Sequence, residues 1–130
     1  MNEQSDNAKV ECTIPILPVS NLAASVDFYT NSLGFKLDWG DIHQGTHCSV
    51  SRDGRPLMLM QQSQLVSPVW VWIGLADETL FTELQAKGVQ VLQEPRNCTW
   101  AYEMKFEDID GNTLWMGTEP RKHEPFADER

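Results

Sequence analysis

No apolar run in the sequence approaches the roughly 18 residues that a membrane-spanning helix needs, so no span is expected. Positive charge is also short: 10 Lys and Arg stand against 19 Asp and Glu, a formal net charge of -9. Such a balance repels nucleic-acid phosphates and anionic lipid, and it favours a small-molecule partner that is cationic if it is charged at all. The plainer reading, that acidity only keeps the chain in solution, stands beside it. Cysteine is scarce. Cys12, Cys48 and Cys98 are odd in number and far apart, which argues against a zinc knuckle, a redox dithiol or a disulfide scaffold and leaves reduced thiols as the expectation. The opening MNEQSDNAKVE lacks the basic-then-apolar layout of a secretory signal, so a cytoplasmic address is expected.

What remains is an ordinary globular composition, 41% hydrophobic and 22% charged over 130 residues, enough for one core. ECTIPILPV reads as an edge strand because Pro15 and Pro18 have no amide to donate. The stretch from Ser20 to Gly34 then places Leu22, Val26, Tyr29 and Leu33 at helical spacing, with Ser20 or Asn21 as the cap and Gly34 as the stop. Extended runs follow at 35–40, 46–52 and 56–61. After QSQLVSP the same grammar restarts: VWVWIGL as a strand, Asp77 as a cap, a helix through Leu80 and Leu84 to Gly88, then strands at 89–93, 100–106 and 112–118. Asp53-Gly54 and Asp110-Gly111 each turn into the last strand of a unit. The expected organisation is a tail (1–10), a βαβββ module (11–62), a linker (63–68), a second βαβββ module (69–118) and a charged tail (119–130) that is frayed or lies on the surface. Each unit has one sheet face to bury and cannot do so alone.

Two segments, PVSNLAASVDFYTNSLGFKL and FEDIDGNTLWMG, together with the repeat, resemble the vicinal oxygen chelate superfamily, which groups glyoxalase I, extradiol dioxygenases, and bleomycin and fosfomycin resistance proteins. The resemblance covers about Cys12 to Thr118 and implies an α+β fold in which two βαβββ modules form a partly open β cup. In metal-dependent members, one His, Gln or Glu ligand stands on the first and last strand of each unit. Those positions here are Ile14, Met58, Trp70 and Trp115, none of which suits a hard divalent cation, since indole N–H only donates and a thioether suits soft copper. No metal site and no cofactor are therefore expected.

Strand alternation puts Trp70, Trp72 and Trp115 on the cup side and Val71, Ile73, Leu114 and Met116 on the other, with Ile14, Ile16, Met58 and Met60 completing the lining. Stacking and cation–π contact then suit a planar, cationic aromatic guest. The closest likeness within the superfamily is to bleomycin resistance proteins, which implies a non-catalytic homodimer that sequesters an antibiotic. The alternative is a lyase, isomerase or dioxygenase of the same fold with an unrecognised site. A third possibility is a Trp-rich surface that meets another chain, and core packing is the plain alternative for each tryptophan. In WAYEMKF, Trp100, Tyr102, Met104 and Phe106 share a strand face that reads first as core packing; it could instead line the cup or meet a partner subunit, and on the cup reading Trp100 and Tyr102 join the candidate ligand-binding residues. Glu103 and Glu107 alternate with that face and read as solvated, while His43 and His47 are too interrupted by Gly45 for a ligand pair.

Overall fold

Asn21 starts the first helix. Its side chain accepts the Ala24 amide at 2.9 Å, satisfying one of the N–H groups that a helix start leaves unpaired. In the computed structural model, which describes residues 8–64 and 67–129, helix α1 spans Leu22–Asp27 and widens into a π turn over Phe28–Ser32. The Leu33 amide accordingly reaches the Phe28 carbonyl at 3.3 Å, one residue further back than in an α-helix. Leu22, Val26, Tyr29 and Leu33 all stay buried, and Gly34 ends the segment at φ 73°. Residues 1–7 of the expected tail, 65–66 of the expected linker and 130 lie outside the described residues.

The strands follow in the expected order, with shifted ends. β1 is Ile16–Val19, shorter than the stretch read from the sequence, and β2 (Lys36–Trp39), β3 (His47–Arg52) and β4 (Arg55–Gln61) complete the first unit. In the second, β5 is Trp70–Gly74, α2 Thr79–Ala86, β6 Gln90–Asn97, β7 Tyr102–Glu107 and β8 Thr113–Thr118. The residue before α2 is Glu78 and not the expected Asp77, whose carboxylate accepts the Thr79 amide at 2.9 Å from one position further out. Each unit is a four-stranded mixed sheet, ordered β1-β4-β3-β2 and β5-β8-β7-β6, with its first and last strands parallel and the other pairs antiparallel. The proline-bearing β1 lies at an edge, where a missing donor costs least. The sheets are open and do not close into a barrel; the fold is the expected α+β pair of βαβββ modules.

One face of each sheet enters a single shared core. Leu17, Val50 and Leu59 come from the first sheet and Met104, Phe106, Leu114 and Met116 from the second, packed with Leu22, Tyr29, Leu33, Phe81 and Leu84 of the helical segments. The modules are also bonded through the β7–β8 turn. Tyr29 donates its hydroxyl to Asp108 at 2.8 Å, Ser25 donates to Asp110 at 2.6 Å, and the Asn112 amide group donates to the Pro18 carbonyl at 2.9 Å. Asp108 is buried and also accepts the Asn112 amide (2.9 Å), the Asp110 amide (2.8 Å) and the Asn112 side chain (3.0 Å), so its charge is met by dipoles.

Burial, and then the charge of Asp108, hold the Tyr29 hydroxyl well above the ordinary tyrosine range. The unfolded chain loses that proton near about pH 10, whereas the fold retains it, so the Tyr29 contribution is full below about pH 10 and is lost as pH rises further. Tyr29→Phe should cost about 1–3 kcal/mol at neutral pH by removing a donor to a buried charge, and it should flatten the alkaline loss. Urea unfolding at neutral pH and near about pH 10.5 measures both effects.

Candidate functional site

Strand register sets Trp72 of β5, Trp115 of β8, Lys105 of β7 and Gln93 of β6 in one row across the second sheet. Their neighbours Val71, Leu114, Met104 and Phe106 are buried in the core, so by alternation the row occupies the open face. Trp115 is its centre. Its ring centroid lies 5.9 Å from Trp70, 5.4 Å from Trp72 and 5.3 Å from Trp100, each nearly perpendicular to it, and Trp72 and Trp100 meet at 5.5 Å. Such edge contacts suit the opposed charge of aromatic face and rim. The three outer indoles are 62% (Trp70), 44% (Trp72) and 49% (Trp100) exposed. Gly117 makes room for one of them, because a β-carbon there would occupy the space of the Trp72 ring.

A polar chain pins this cluster from below. The Trp115 indole N–H donates to Glu103 Oε2 at 2.7 Å, Gln93 Nε2 donates to the same oxygen at 3.1 Å, and the Cys98 thiol lies 3.6 Å from Oε1. Glu103 is 4% exposed, whereas alternation with the apolar residues of WAYEMKF suggested a solvated face. The alternation itself is sound, but the face opposite the core is covered by indoles. Gln93 turns its other end to Lys105, accepting from Nζ at 3.0 Å, and that ammonium stands 5.2 Å from the Trp70 centroid and 5.1 Å from that of Trp115. Burial, then the charge of Glu103, push the Cys98 thiol up, so it is a poor nucleophile.

The other candidates divide. Ile16, Met58 and Met60 lie in register on the open face of the first sheet, and Ile14 is half-buried ahead of β1. Tyr102 is a correction: it lies on the core side of β7, its ring 6.0 Å from Phe81 and 3.9 Å from the Arg121 guanidinium. Trp100 precedes β7, in a turn outside the strand alternation, which is why these two aromatics part company. His47 is edge-on to Trp39 at 5.6 Å, and the backbone of His43 is held in a turn by Asp41. Among the described residues no group of three or more His, Cys, Asp or Glu is placed to hold a metal ion.

The segment after Glu119 lies on the surface but is tied down. Asn97 bonds the amide of Arg121 and the carbonyls of Arg121, Glu124 and Pro125, while Arg121 pairs with Glu78. Asp128 accepts the amide (2.8 Å) and hydroxyl (2.7 Å) of Thr99, the residue before Trp100. The strap therefore fixes the turn that carries one wall of the indole cluster.

A family model described as the Glyoxalase/Bleomycin resistance protein/Dioxygenase superfamily matches residues 11–116. The chain belongs to that superfamily. Among solved structures, TioX from Micromonospora sp. ML1 is 17% identical with a TM-score of 0.71, covering 83% of this chain and 99% of that one. TnmS3, an antibiotic binding protein from Streptomyces sp. CB03234, is 23% identical with a TM-score of 0.65, covering 85% and 98%. Lactoylglutathione lyase from Agrobacterium tumefaciens is 16% identical with a TM-score of 0.70, covering 84% and 94%. These likenesses concern the fold. A search of curated proteins found no match. For a superfamily metal the carried-over positions do not fit: Ile14 has no donor atom, Met58 has a thioether, Trp70 presents an indole, and the Trp115 N–H is already given to Glu103.

Two outcomes follow for the site's construction. Gly117→Ala should lift Trp72 from its recess and cost about 1–3 kcal/mol by overpacking, seen as a loss of near-ultraviolet tryptophan dichroism and an earlier urea midpoint. The Thr99 hydroxyl, then its amide, hold the Asp128 carboxyl below its usual range. A lowered folded value means that the tether holds above the ordinary carboxylate range, about pH 4, and is lost as pH falls through that lower value. Asp128→Ala should loosen the Trp100 turn already at neutral pH, read as increased acrylamide quenching.

Proposed function

We propose that the protein is a cytoplasmic homodimer that binds a planar aromatic small molecule on its open tryptophan face without transforming it. The observation that carries this reading is the group of three half-exposed indoles fixed around Trp115. Leaving such rings in water forgoes about 25 cal/mol for each Å² of apolar surface that could be buried, and a clustered patch of this kind marks a surface that meets something. An antibiotic as the guest is supported by the bleomycin resistance members in the superfamily's description and by a fold neighbour described as an antibiotic binding protein.

The first sheet supplies the reason for a dimer. Its open face carries exposed Ile16 and Trp39 beside Met58 and Met60, apolar groups suited to close over a partner's indoles. In such a pair, Ile14, Ile16, Met58 and Met60 of one copy and Trp70, Trp72, Trp100 and Trp115 of the other enclose the guest. The competing reading, a lyase, is favoured by the shared fold with lactoylglutathione lyase. It requires ion ligands that the four carried-over positions do not offer.

Calorimetric titration with a bleomycin-type drug and with a planar intercalating antibiotic is the direct test, alongside sedimentation equilibrium. Micromolar binding of at least one of the two is expected, with Trp72→Ala and Trp100→Ala each weakening it by about 0.5–1.5 kcal/mol, and the mass should be twice that of one chain. Heatless titrations with every planar aromatic tried would reject the reading. So would turnover of glutathione hemithioacetals by the protein supplied with nickel or zinc.

A further inference from the structure

Lys105 is the unexpected member of the row. The chain is acidic, with a net charge of -9, and on that ground alone a cationic guest is the natural expectation. Yet the space over Trp70 and Trp115, where a guest's cation would gain most from the rings, already holds an ammonium at 5.2 and 5.1 Å. A second cation there would meet like charge at short range and could gain the rings only by displacing the first. Lys105 itself is under-used. Of the three donors of an ammonium, one goes to Gln93, and among the described residues Lys105 enters no ion pair.

Among the described residues no carboxylate claims that ammonium, and Glu107, two residues along on the same strand face, makes no ion pair with it. Glu103, on the same strand face, is buried, and its oxygens are taken by Trp115, Gln93 and Cys98. Arg96, paired with Glu103 in register, adds positive charge on the neighbouring strand. Gln93 separates Glu103 from Lys105: its carbonyl oxygen faces the ammonium and its amide nitrogen faces the carboxylate, so the two charges are linked without collapsing into a salt bridge. The ammonium is thus held at the edge of an aromatic floor, only part-buried.

We infer that Lys105 makes the tryptophan face selective for aromatic guests bearing an anionic oxygen, a carboxylate or phenolate, placed beside the stacked ring. The inference rests on the stacking site proposed above and names the charge of its guest. The ring lies on the exposed indoles, and its oxygen accepts a charge-assisted hydrogen bond from Lys105 Nζ, with no covalent step.

Three probes with one ring system test it: naphthoate, naphthylmethanol and naphthylmethylammonium, each titrated into the full chain by calorimetry. Naphthoate should bind about tenfold tighter than the alcohol, the size of one charge-assisted hydrogen bond, and the ammonium weakest of the three. Lys105→Met should bring the three affinities within about threefold while alcohol binding persists, and Lys105→Arg should keep the anion preference. Equal affinities in the native chain, or the ammonium binding best, overturn the role of Lys105 and leave stacking intact. Binding of none of the three overturns the stacking site and this inference together. Retention of indole near-ultraviolet dichroism in Lys105→Met separates lost selectivity from a collapsed cluster.

Discussion

A sheet with a helix on one side can hide only one of its faces, and this constraint governs the whole molecule. Both modules turn that face into one common core, and the buried carboxylate of Asp108 joins them through Tyr29 and Asn112. The remaining faces are left to solvent, and their composition decides what the molecule can do. On the first sheet the open face mixes Ile16, Met58 and Met60 with Trp39 and the serines Ser49 and Ser51; on the second it is indole.

The second open face differs from a simple greasy patch because it is organised by a charge beneath it. Glu103 has given up hydration, and in exchange it orients Trp115 and, through Gln93, the ammonium of Lys105. A buried carboxylate with only neutral donors is costly unless every lone pair is used. That cost is tolerated here at the centre of the aromatic cluster, which is where rigidity matters most for a stacking surface: rings that are already ordered lose less freedom when a guest arrives.

Much of this was legible in the residues. The two Asp-Gly turns, the helix stops at Gly34 and Gly88 and the repeated order of elements led to the fold because each depends on local chemistry. The facing of Trp70, Trp72 and Trp115 followed from a period of two. Tyr102 shares its strand face with Met104 and Phe106, as the period of two implies, and that face is the core; Trp100 leaves the alternation because it belongs to a turn held by the strap from Asp128. Glu103 and Lys105 could be placed on the right face by the same period, but their roles depend on what covers that face. Cross-strand register and the recess at Gly117 decide this, and neither is written in one strand alone. The π turn in the first helix was likewise silent, since its apolar spacing reads the same as an ordinary helix.

The arrangement of indoles also has an optical meaning. Four of the five tryptophans touch one another above a carboxylate and a thiol, close enough for excitation to pass among them and for emission to depend on the group as a whole. Trp39 stands on the other module with an imidazole for its neighbour. The molecule thus carries two built-in reporters, one on each half, distinguishable by their surroundings without any label.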